Sequence, residues 1–181
     1  SENLYSQVNE LLDISKIEKG IIDLNYEKID LDELINTSMN NFILLSVDKN
    51  NRIEFYNHMS DNTAYLDRMK MLQVLNNLIS NANKFTEDGT ITLRAKEHAD
   101  DMISISVLDT GAGMSHDEIH YLFDQYSYRH KTGTRGEKGN GLGIVICKRF
   151  IELHGGRITV NSKQDVGTEF TVYLPRYGQE K

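Results

Sequence analysis

Residues 90–97 and 102–108 each read as a strand, and only four residues, His98 to Asp101, separate them. A connection that short cannot carry a parallel crossover, so the two runs must pair as an antiparallel hairpin. Residues 157–162 and 168–174 repeat the arrangement around a turn at 165–167. Before and between these hairpins lie runs in which apolar residues recur every three or four positions, the period of an amphipathic helix. Strands in hairpin order, interleaved with such helices, predict an α/β (α+β) two-layer sandwich. In it a mixed sheet carries helices on one face, unlike a doubly wound parallel fold.

The chain has 181 residues and a formal charge of −7. That length fits one domain with its own core plus a short appendage. An acidic balance speaks against a nucleic-acid partner, which needs a basic face. It also means that a polyanionic ligand must be met by locally gathered cations. Hydrophobic residues make up 39% and charged residues 26%, the composition of a soluble globular chain rather than a disordered one. The single cysteine, Cys147, allows no internal disulfide, fits a cytosolic setting and reads as a buried small hydrophobe in an apolar helical run. No apolar run reaches the length of a membrane span. The chain opens on Ser1 within an amphipathic pattern, as expected of a piece excised from a larger protein.

Leu4, Val8, Leu11, Ile14 and Ile17 form a helical stripe that Gly20 ends. Its spacing fits either a helix packed on an absent partner helix or a surface helix packed on its own domain. Residues 21–29 read as extended. Asp30 and Glu33 make a capping box for a helix over 31–47. Residues 52–57 alternate as a strand, and a short strand is expected around Ala64. Asp67 caps a helix that runs to about Asn83. Ser115 and Glu118 form a second capping box, for a short helix ending near Phe123. Residues 124–140 show no periodicity and hold Gly133, Gly136 and Gly139, which predicts a functional lid or a mobile segment. Residues 141–154 read as a helix.

Four features carry chemistry. In the helix after Asp67, the residues Met69, Leu72, Leu75, Leu78, Ile79 and Ala82 supply a core face. Gln73, Asn77, Asn81 and Lys84 follow one another at steps of four, four and three along a polar stripe. Asparagine is a poor helix former, yet Asn76, Asn77, Asn81 and Asn83 crowd this helix. An amide oxygen can ligate magnesium, and a lysine one turn on can meet phosphate; taken alone, the stripe also fits a solvated face. The second feature is Asp109-Thr110-Gly111-Ala112-Gly113, directly after a strand. Its glycines let a ligand approach the backbone, and its carboxylate could accept a hydrogen bond from an exocyclic amine; alone, it also fits a plain turn. The third is Gly139-Asn140-Gly141-Leu142-Gly143 at a helix start, where free N–H groups bind phosphate. It lacks the strand lead-in of a dinucleotide fingerprint and the Gly-Lys-Ser/Thr of a P-loop. The fourth is the basic character of 124–140, where Arg129, Lys131, Arg135 and Lys138 stand against Asp124 and Glu137. Cations on such a segment are a common way to clamp phosphates; taken alone, the segment fits a solvated charged loop better.

Taken in order, Asn77-Leu-Ile-Ser-Asn81-Ala-Asn-Lys84-Phe85, Asp109-Thr-Gly-Ala-Gly113, Leu122-Phe123, Gly139-Asn-Gly-Leu-Gly143 and Gly167-Thr168 resemble the ordered boxes of the histidine kinase catalytic domain. That domain belongs to a superfamily shared with gyrase-type, mismatch-repair and heat-shock chaperone ATPases. The resemblance divides the chain into residues 1–20, similar to the end of the family's dimerisation hairpin, and residues 21–181, the catalytic ATP-binding domain. It implies a sheet of about five strands covered by three main helices.

By this resemblance Asn81 is a magnesium ligand supported by Asn77, and Lys84 approaches the phosphates. Phe85 lies against adenine or ribose. Asp109 takes the adenine amino group with Thr168 nearby, Gly111 and Gly113 line the slot, and Phe123 anchors the lid. Gly139, Gly141, Leu142 and Gly143 let the triphosphate lie against the helix start, and Lys131, Arg135 and Lys138 are candidates for the γ-phosphate. The implied cofactors are ATP and Mg2+. The implied reaction transfers the γ-phosphoryl to a histidine on the parent's dimerisation domain, with Asn77 and Lys84 as this chain's catalytic contributors. A response-regulator receiver domain is the implied onward partner. The fragment is expected to be monomeric and cytoplasmic and its parent homodimeric, an inner-membrane sensor being one form the parent can take.

Two departures bear on function. The family's phosphoacceptor motif, a histidine followed by an acidic residue and shortly by Arg-Thr-Pro or similar, is absent. The only proline is Pro175, and His58, His98, His116, His120, His130 and His154 stand in no such context. Gyrase-type ATPases carry a glutamate base one turn before the magnesium asparagine. Here that place is Asn77, which cannot usefully accept a proton at neutral pH. An ATP-hydrolysing or nucleotide-sensing module of the same superfamily is the alternative reading.

Overall fold

The structure, a computed structural model, describes Leu12, Ser15 and residues 19–123, 132–137 and 142–178. In chain order its elements are β1 (Glu27–Asp30), α1 (Leu31–Asn40), α2 (Ile43–Asp48), β2 (Arg52–His58), β3 (Thr63–Leu66) and α3 (Arg68–Phe85). There follow β4 (Thr90–Glu97), β5 (Met102–Asp109), α4 (His116–His120), α5 (Leu142–Leu153), β6 (Arg157–Lys163) and β7 (Gly167–Pro175). The five-stranded sheet runs β2-β4-β5-β7-β6. Only β2 with β4 is a parallel pair; β4 with β5, β5 with β7 and β6 with β7 are antiparallel. Both hairpins read from the sequence are therefore present, and the sheet is mixed. β1 and β3 form a separate antiparallel pair.

Two-residue alternation decides which face is inward. Ile91, Leu93 and Ala95 of β4, Ile103, Ile105 and Val107 of β5, and Phe170, Val172 and Leu174 of β7 are buried. They stand opposite one another across the ladders, as in Leu93 with Val107 and Val107 with Phe170. The other face carries Arg94, Lys96, Glu169 and Tyr173, all partly or fully exposed. α3 and α5 cover the inward face, and α1 packs on α3. α3 contributes Met71, Val74, Leu75, Leu78, Ile79 and Ala82; burying each of the larger side chains is worth about 1.5–3 kcal/mol. Cys147 is buried on α5 with its thiol toward the Val74 carbonyl, as a small core residue.

Several boundaries differ from the sequence reading. The single helix expected over 31–47 is two helices, broken at Asn41 and Phe42. Asn40 and Asn41 are weak helix formers, and tighter bonds from Asn41 N to Ser38 O (3.2 Å) and Phe42 N to Met39 O (2.9 Å) close α1 there. The Asp30 cap forms only its first half: the Asp30 side chain accepts from Glu33 N, while the Glu33 carboxylate pairs with Arg68 at 2.8 Å. Of residues 21–29, only the stretch from Glu27 enters a strand. α4 keeps its full capping box but ends at His120, before Phe123. Met69, expected on the core face, is 70% exposed, because the buried stripe of α3 starts at Met71. Gly20, at φ +63°, closes the turn marked by Lys19 N to Ser15 O (3.2 Å). The stripe of Leu4, Val8, Leu11, Ile14 and Ile17 lies outside the described residues.

One buried histidine ties α5 to α3. His154 has no exposed surface. Its Nε2 accepts the Asp67 N–H (3.1 Å) and its Nδ1 donates to the Phe150 carbonyl (2.7 Å), which assigns the Nδ1–H tautomer. Asp67 in turn caps α3 by accepting from Lys70 N (3.0 Å) and binds Asn25 N (2.9 Å). Burial pushes the His154 pKa below its ordinary value, against the Phe150 carbonyl and the Asp67 charge, which favour the cation. A group protonated more easily in the unfolded chain makes stability fall as pH drops below its unfolded pKa, about 6.5. Urea unfolding between pH 7 and pH 5 should show the wild type losing up to about 1.4 kcal/mol per pH unit more than His154→Gln. Equal pH slopes in the two proteins would contradict this linkage.

Candidate functional site

An α-helix ends in carbonyls that its own N–H groups do not reach. At the end of α3 those carbonyls are taken by distant segments. Lys84 O accepts from Lys49 Nζ (3.0 Å) and Thr134 N (3.1 Å), and Phe85 O accepts from Ala112 N (3.0 Å). Thr86 O accepts from Asn51 Nδ2 (2.8 Å). Asn51 also donates to Asn83 Oδ1 (3.0 Å) and accepts from Gly89 N (3.1 Å). The asparagine crowd of α3 thereby divides. Asn83 is a buried structural partner of Asn51. Asn76 is reached by Asn41 Nδ2 at 3.5 Å. Asn77 Nδ2 makes a long bond to Gly143 O (3.4 Å), at the start of α5. Asn81, one turn on, is half-buried, and its side chain makes no hydrogen bond among the described residues.

Asp109 ends β5 on the inward face, opposite Ile91 on one side and Thr168 on the other. It is 5% exposed. Burial raises its pKa to about 6, against the Gly111 and Thr168 backbone N–H groups and the nearby Thr86 hydroxyl, which favour the carboxylate. The Gly111 N–H bond to Oδ1 is 2.9 Å. The turn after Asp109 is wedged between two other segments. A Cβ on Gly111 would stand 2.2 Å from Phe85 O, and one on Gly113, at φ +62°, would stand 2.0 Å from Lys163 O. The close approach these glycines permit is to the protein's own backbone. Thr168 Oγ1 meets Ser162 Oγ at 2.8 Å, and Ser162 Oγ also accepts from Met114 N (2.9 Å). Ser162 and Thr86 were missed in the sequence. Ser162 was legible as a hydroxyl in the inward phase of Ile158 and Val160; Thr86, just past the helix end, carried no signal.

The cationic side of the site is Lys84, whose ammonium lies 4.8 Å from the centroid of the half-buried Phe85 ring. Burial lowers the Lys84 pKa; Glu137 acts to raise it and Lys49 to lower it. Arg135, one of three cations expected to meet phosphate, gives its guanidinium to Glu87 (2.8 Å) and Asp48 (2.9 Å). Leu142, half-buried, opens α5, and a Cβ on Gly143 would lie 3.4 Å from Asn77 Cγ. Phe123 packs against the core, with Lys148 Nζ 5.5 Å from its ring centroid. Arg129, Lys131, Lys138, Gly139 and Gly141 lie outside the described residues. Among the described residues no group of three His, Cys, Asp or Glu side chains could hold a metal. The Asn81 amide, without a hydrogen-bond partner among the described residues, fits one place in the oxygen shell of a divalent ion.

Residues 66–178 match the family described as histidine kinase-, DNA gyrase B-, and HSP90-like ATPase. The sensor protein GacS of Pseudomonas syringae pv. syringae is 37% identical, over 100% of this chain and 21% of its own. The sensor histidine kinase RcsC of Escherichia coli (strain K12) is 34% identical, over 99% of this chain and 19% of its own. The chain thus spans about a fifth of the length of these curated relatives. Among solved structures, full-length ShkA in complex with AMPPNP superposes with a TM-score of 0.86 at 26% identity, covering 99% of this chain and 37% of that one. A nucleotide-free catalytic domain of histidine kinase ThkA gives a TM-score of 0.73 at 26% identity, covering 85% of this chain and 97% of that one.

A carboxyl group with a raised folded-state pKa costs stability at neutral pH, and the cost shrinks as pH falls and the group protonates. Asp109→Asn should therefore stabilise the ligand-free chain at pH 7 by about 1–2 kcal/mol, after allowance for partial solvent screening. The gain should shrink as pH drops through 6 toward 4. Urea midpoints of both proteins across that range check this; a gain that does not change with pH would mean that buried charge is not its origin.

Proposed function

Because the chain belongs to the family of histidine kinase-, DNA gyrase B- and HSP90-like ATPases, we propose that it is the ATP-binding catalytic domain of a sensor histidine kinase. It transfers the γ-phosphoryl of ATP to a histidine on a dimerisation domain that these residues do not contain. The observation that carries this reading is one juxtaposition. The last turns of α3 present an amide, Asn81, with no hydrogen-bond partner among the described residues, and an ammonium, Lys84, and the same helix end is bonded to the turn that holds the desolvated Asp109 carboxylate.

Each group has a task. Asp109 accepts a hydrogen bond from the adenine amino group; guanine would set a carbonyl oxygen against it, leaving two buried acceptors unpaired. Thr168 stands beside it and Phe85 lies against the base or ribose. Asn81, supported by Asn77, holds Mg2+, which neutralises charge on the triphosphate when bound. Lys84 draws the phosphates toward the start of α5 at Leu142 and Gly143. Lys131 and Lys138 are the cations assigned to the γ-phosphate, since Arg135 is engaged by Asp48 and Glu87. Positioning and charge neutralisation dominate phosphoryl transfer. The bond between the γ-phosphorus and its bridging oxygen breaks, a phosphorus–nitrogen bond forms to the imidazole, and the imidazole proton leaves to a base beside the acceptor. Asn77 cannot act as a base toward water, which favours an external acceptor over hydrolysis.

The partners that follow are the dimerisation domain of the same parent, with residues 1–20 as the tail of its hairpin, and a response-regulator receiver domain. The parent is a homodimer and this domain lies in the cytoplasm. No helix of the described residues is long and apolar enough to cross a membrane.

Asn81→Ala should abolish Mg2+-dependent ATP binding by calorimetry and leave thermal unfolding within about 0.5 kcal/mol of wild type, because no core contact is removed. Undiminished Mg-ATP affinity in that variant would take the metal away from Asn81. The reaction itself is tested by mixing the chain with radiolabelled ATP and a dimerisation hairpin from its own parent. Acid-labile label should appear on the hairpin, slowly, because the tether that raises local concentration is cut. Rapid phosphate release by the chain alone would instead make it a hydrolase of the same superfamily.

A further inference from the structure

Lys49 lies in the turn between α2 and β2 and is 5% exposed. Its ammonium pairs with Glu137 and donates to Lys84 O (3.0 Å) and Thr134 Oγ1 (2.8 Å). An ammonium has three donors, and these are its three partners. Leaving such a buried charge unpaired is costly, so the arrangement constrains all four residues. The same six-residue stretch, 132–137, is fixed in other ways. The Arg135 side chain spans Glu87 and Asp48. Glu137 accepts from Arg135 N (2.8 Å), Gly133 N donates to Glu137 O (2.9 Å), and Thr134 N donates to Lys84 O (3.1 Å). A Cβ on Gly133 would stand 2.6 Å from Lys84 Cγ and 2.8 Å from Lys84 O, so the stretch sits directly on the last turn of α3.

This seat pairs one carboxylate with one ammonium and leaves it within electrostatic reach of a second. Glu137 is bonded to Lys49 and also acts electrostatically on Lys84. Resting on the reading of Lys84 as a phosphate contact, we propose that Lys49 is a positioning residue for nucleotide binding. It holds Glu137 as its own counterion and fixes residues 132–137 on the end of α3, so that this carboxylate does not compete with phosphate for Lys84. Lys49 touches no substrate in this scheme; it acts through where Glu137 is kept.

The consequence is a pattern that loss of packing alone does not produce. With Lys49 neutral, Lys84 is the remaining ammonium among the described residues on which Glu137 acts, beside the Arg135 guanidinium that Asp48 and Glu87 already hold, and ATP must displace Glu137 from it. With Glu137 neutral as well, that competition is gone.

The experiment is calorimetry with Mg-ATP on wild type, Lys49→Met, Glu137→Gln and the double variant, with urea midpoints measured for each. Wild type must bind Mg-ATP; if it does not, the ATP-binding reading itself fails, independently of Lys49. Given binding, Lys49→Met should weaken it about tenfold, the scale of one charge-assisted contact. Glu137→Gln should weaken it at most about threefold, and the double variant should return to within about threefold of wild type, a coupling opposite in sign to simple loss of a pair. Lys49→Gln keeps a donor toward the Lys84 carbonyl and carries the same prediction where Lys49→Met does not fold. Wild-type affinity in both Lys49 variants would overturn the proposal, and so would a double variant as weak as the Lys49 variant alone.

Discussion

The carbonyls that close α3 are the fixtures from which the site hangs. Helix geometry leaves them without internal partners, and burial forbids leaving them unpaired. Lys84 O, Phe85 O and Thr86 O are each met by a different segment: Lys49 and Thr134, Ala112, and Asn51. The turn after β5, the stretch 132–137 and the entry to β2 are thus held to one point. The side chains of the same turn, Asn81, Lys84 and Phe85, project from a backbone whose position three other segments over-determine. α3 can carry such a turn because its other face is anchored in the core by Met71, Val74, Leu75, Leu78 and Ile79.

The two hairpins and the amphipathic runs of α1, α3 and α5 were legible because they follow from short connections and apolar period, which are local in sequence. The Asp67 and Ser115 caps were legible for the same reason, each acting on an N–H three residues on. The break at Asn41 was not, because asparagine disfavours a helix only weakly and does not by itself mark an end within a run that otherwise reads as helical. In the site, Asn81 stood out in a polar stripe with Gln73, Asn77 and Lys84, and Asp109 stood out at the head of a glycine-rich turn after a strand. Asn83 was read only as one of the asparagines crowding this helix, yet it has a buried partner in Asn51, 32 residues away. Nothing local distinguishes an amide satisfied at that distance from one left open. Lys49 was silent for a related reason: its neighbours in sequence are polar, and its partners Lys84, Thr134 and Glu137 are all distant in the chain.

Two buried titratable groups pull the pH dependence of this domain in opposite directions. His154, kept neutral by burial, makes the fold weaker in acid. Asp109, whose charge burial disfavours, makes the fold weaker at neutral pH. The first is a joint between α5 and α3 with both ring nitrogens satisfied. The second is a carboxylate whose desolvation is offset only in part by its neighbours. Strain of the second kind persists where a ligand can use it, since an acceptor already stripped of water binds a donor without further desolvation. The mixed pH response is therefore a division between a group that holds the fold and one that the fold holds at a cost.

Charge arrangement, rather than charge excess, has to attract phosphate to the described part of the site. The chain carries −7 overall, and at physiological ionic strength its distant charges are screened beyond about 8 Å. Within the cluster at the end of α3, the three cations Lys49, Lys84 and Arg135 face the three carboxylates Asp48, Glu87 and Glu137, so the local sum is zero. An electroneutral cluster meets an anion through how its internal pairs are distributed rather than through its sum. Arg135 is divided between Asp48 and Glu87, and Lys49 is enclosed by Glu137, Thr134 and the Lys84 carbonyl. Lys84 is the member whose ammonium lies over an aromatic face, on the same turn as Asn81. Exchanging partners within this set would leave every charge count unchanged and still alter affinity for a triphosphate, because affinity follows which ammonium must give up a carboxylate to bind it.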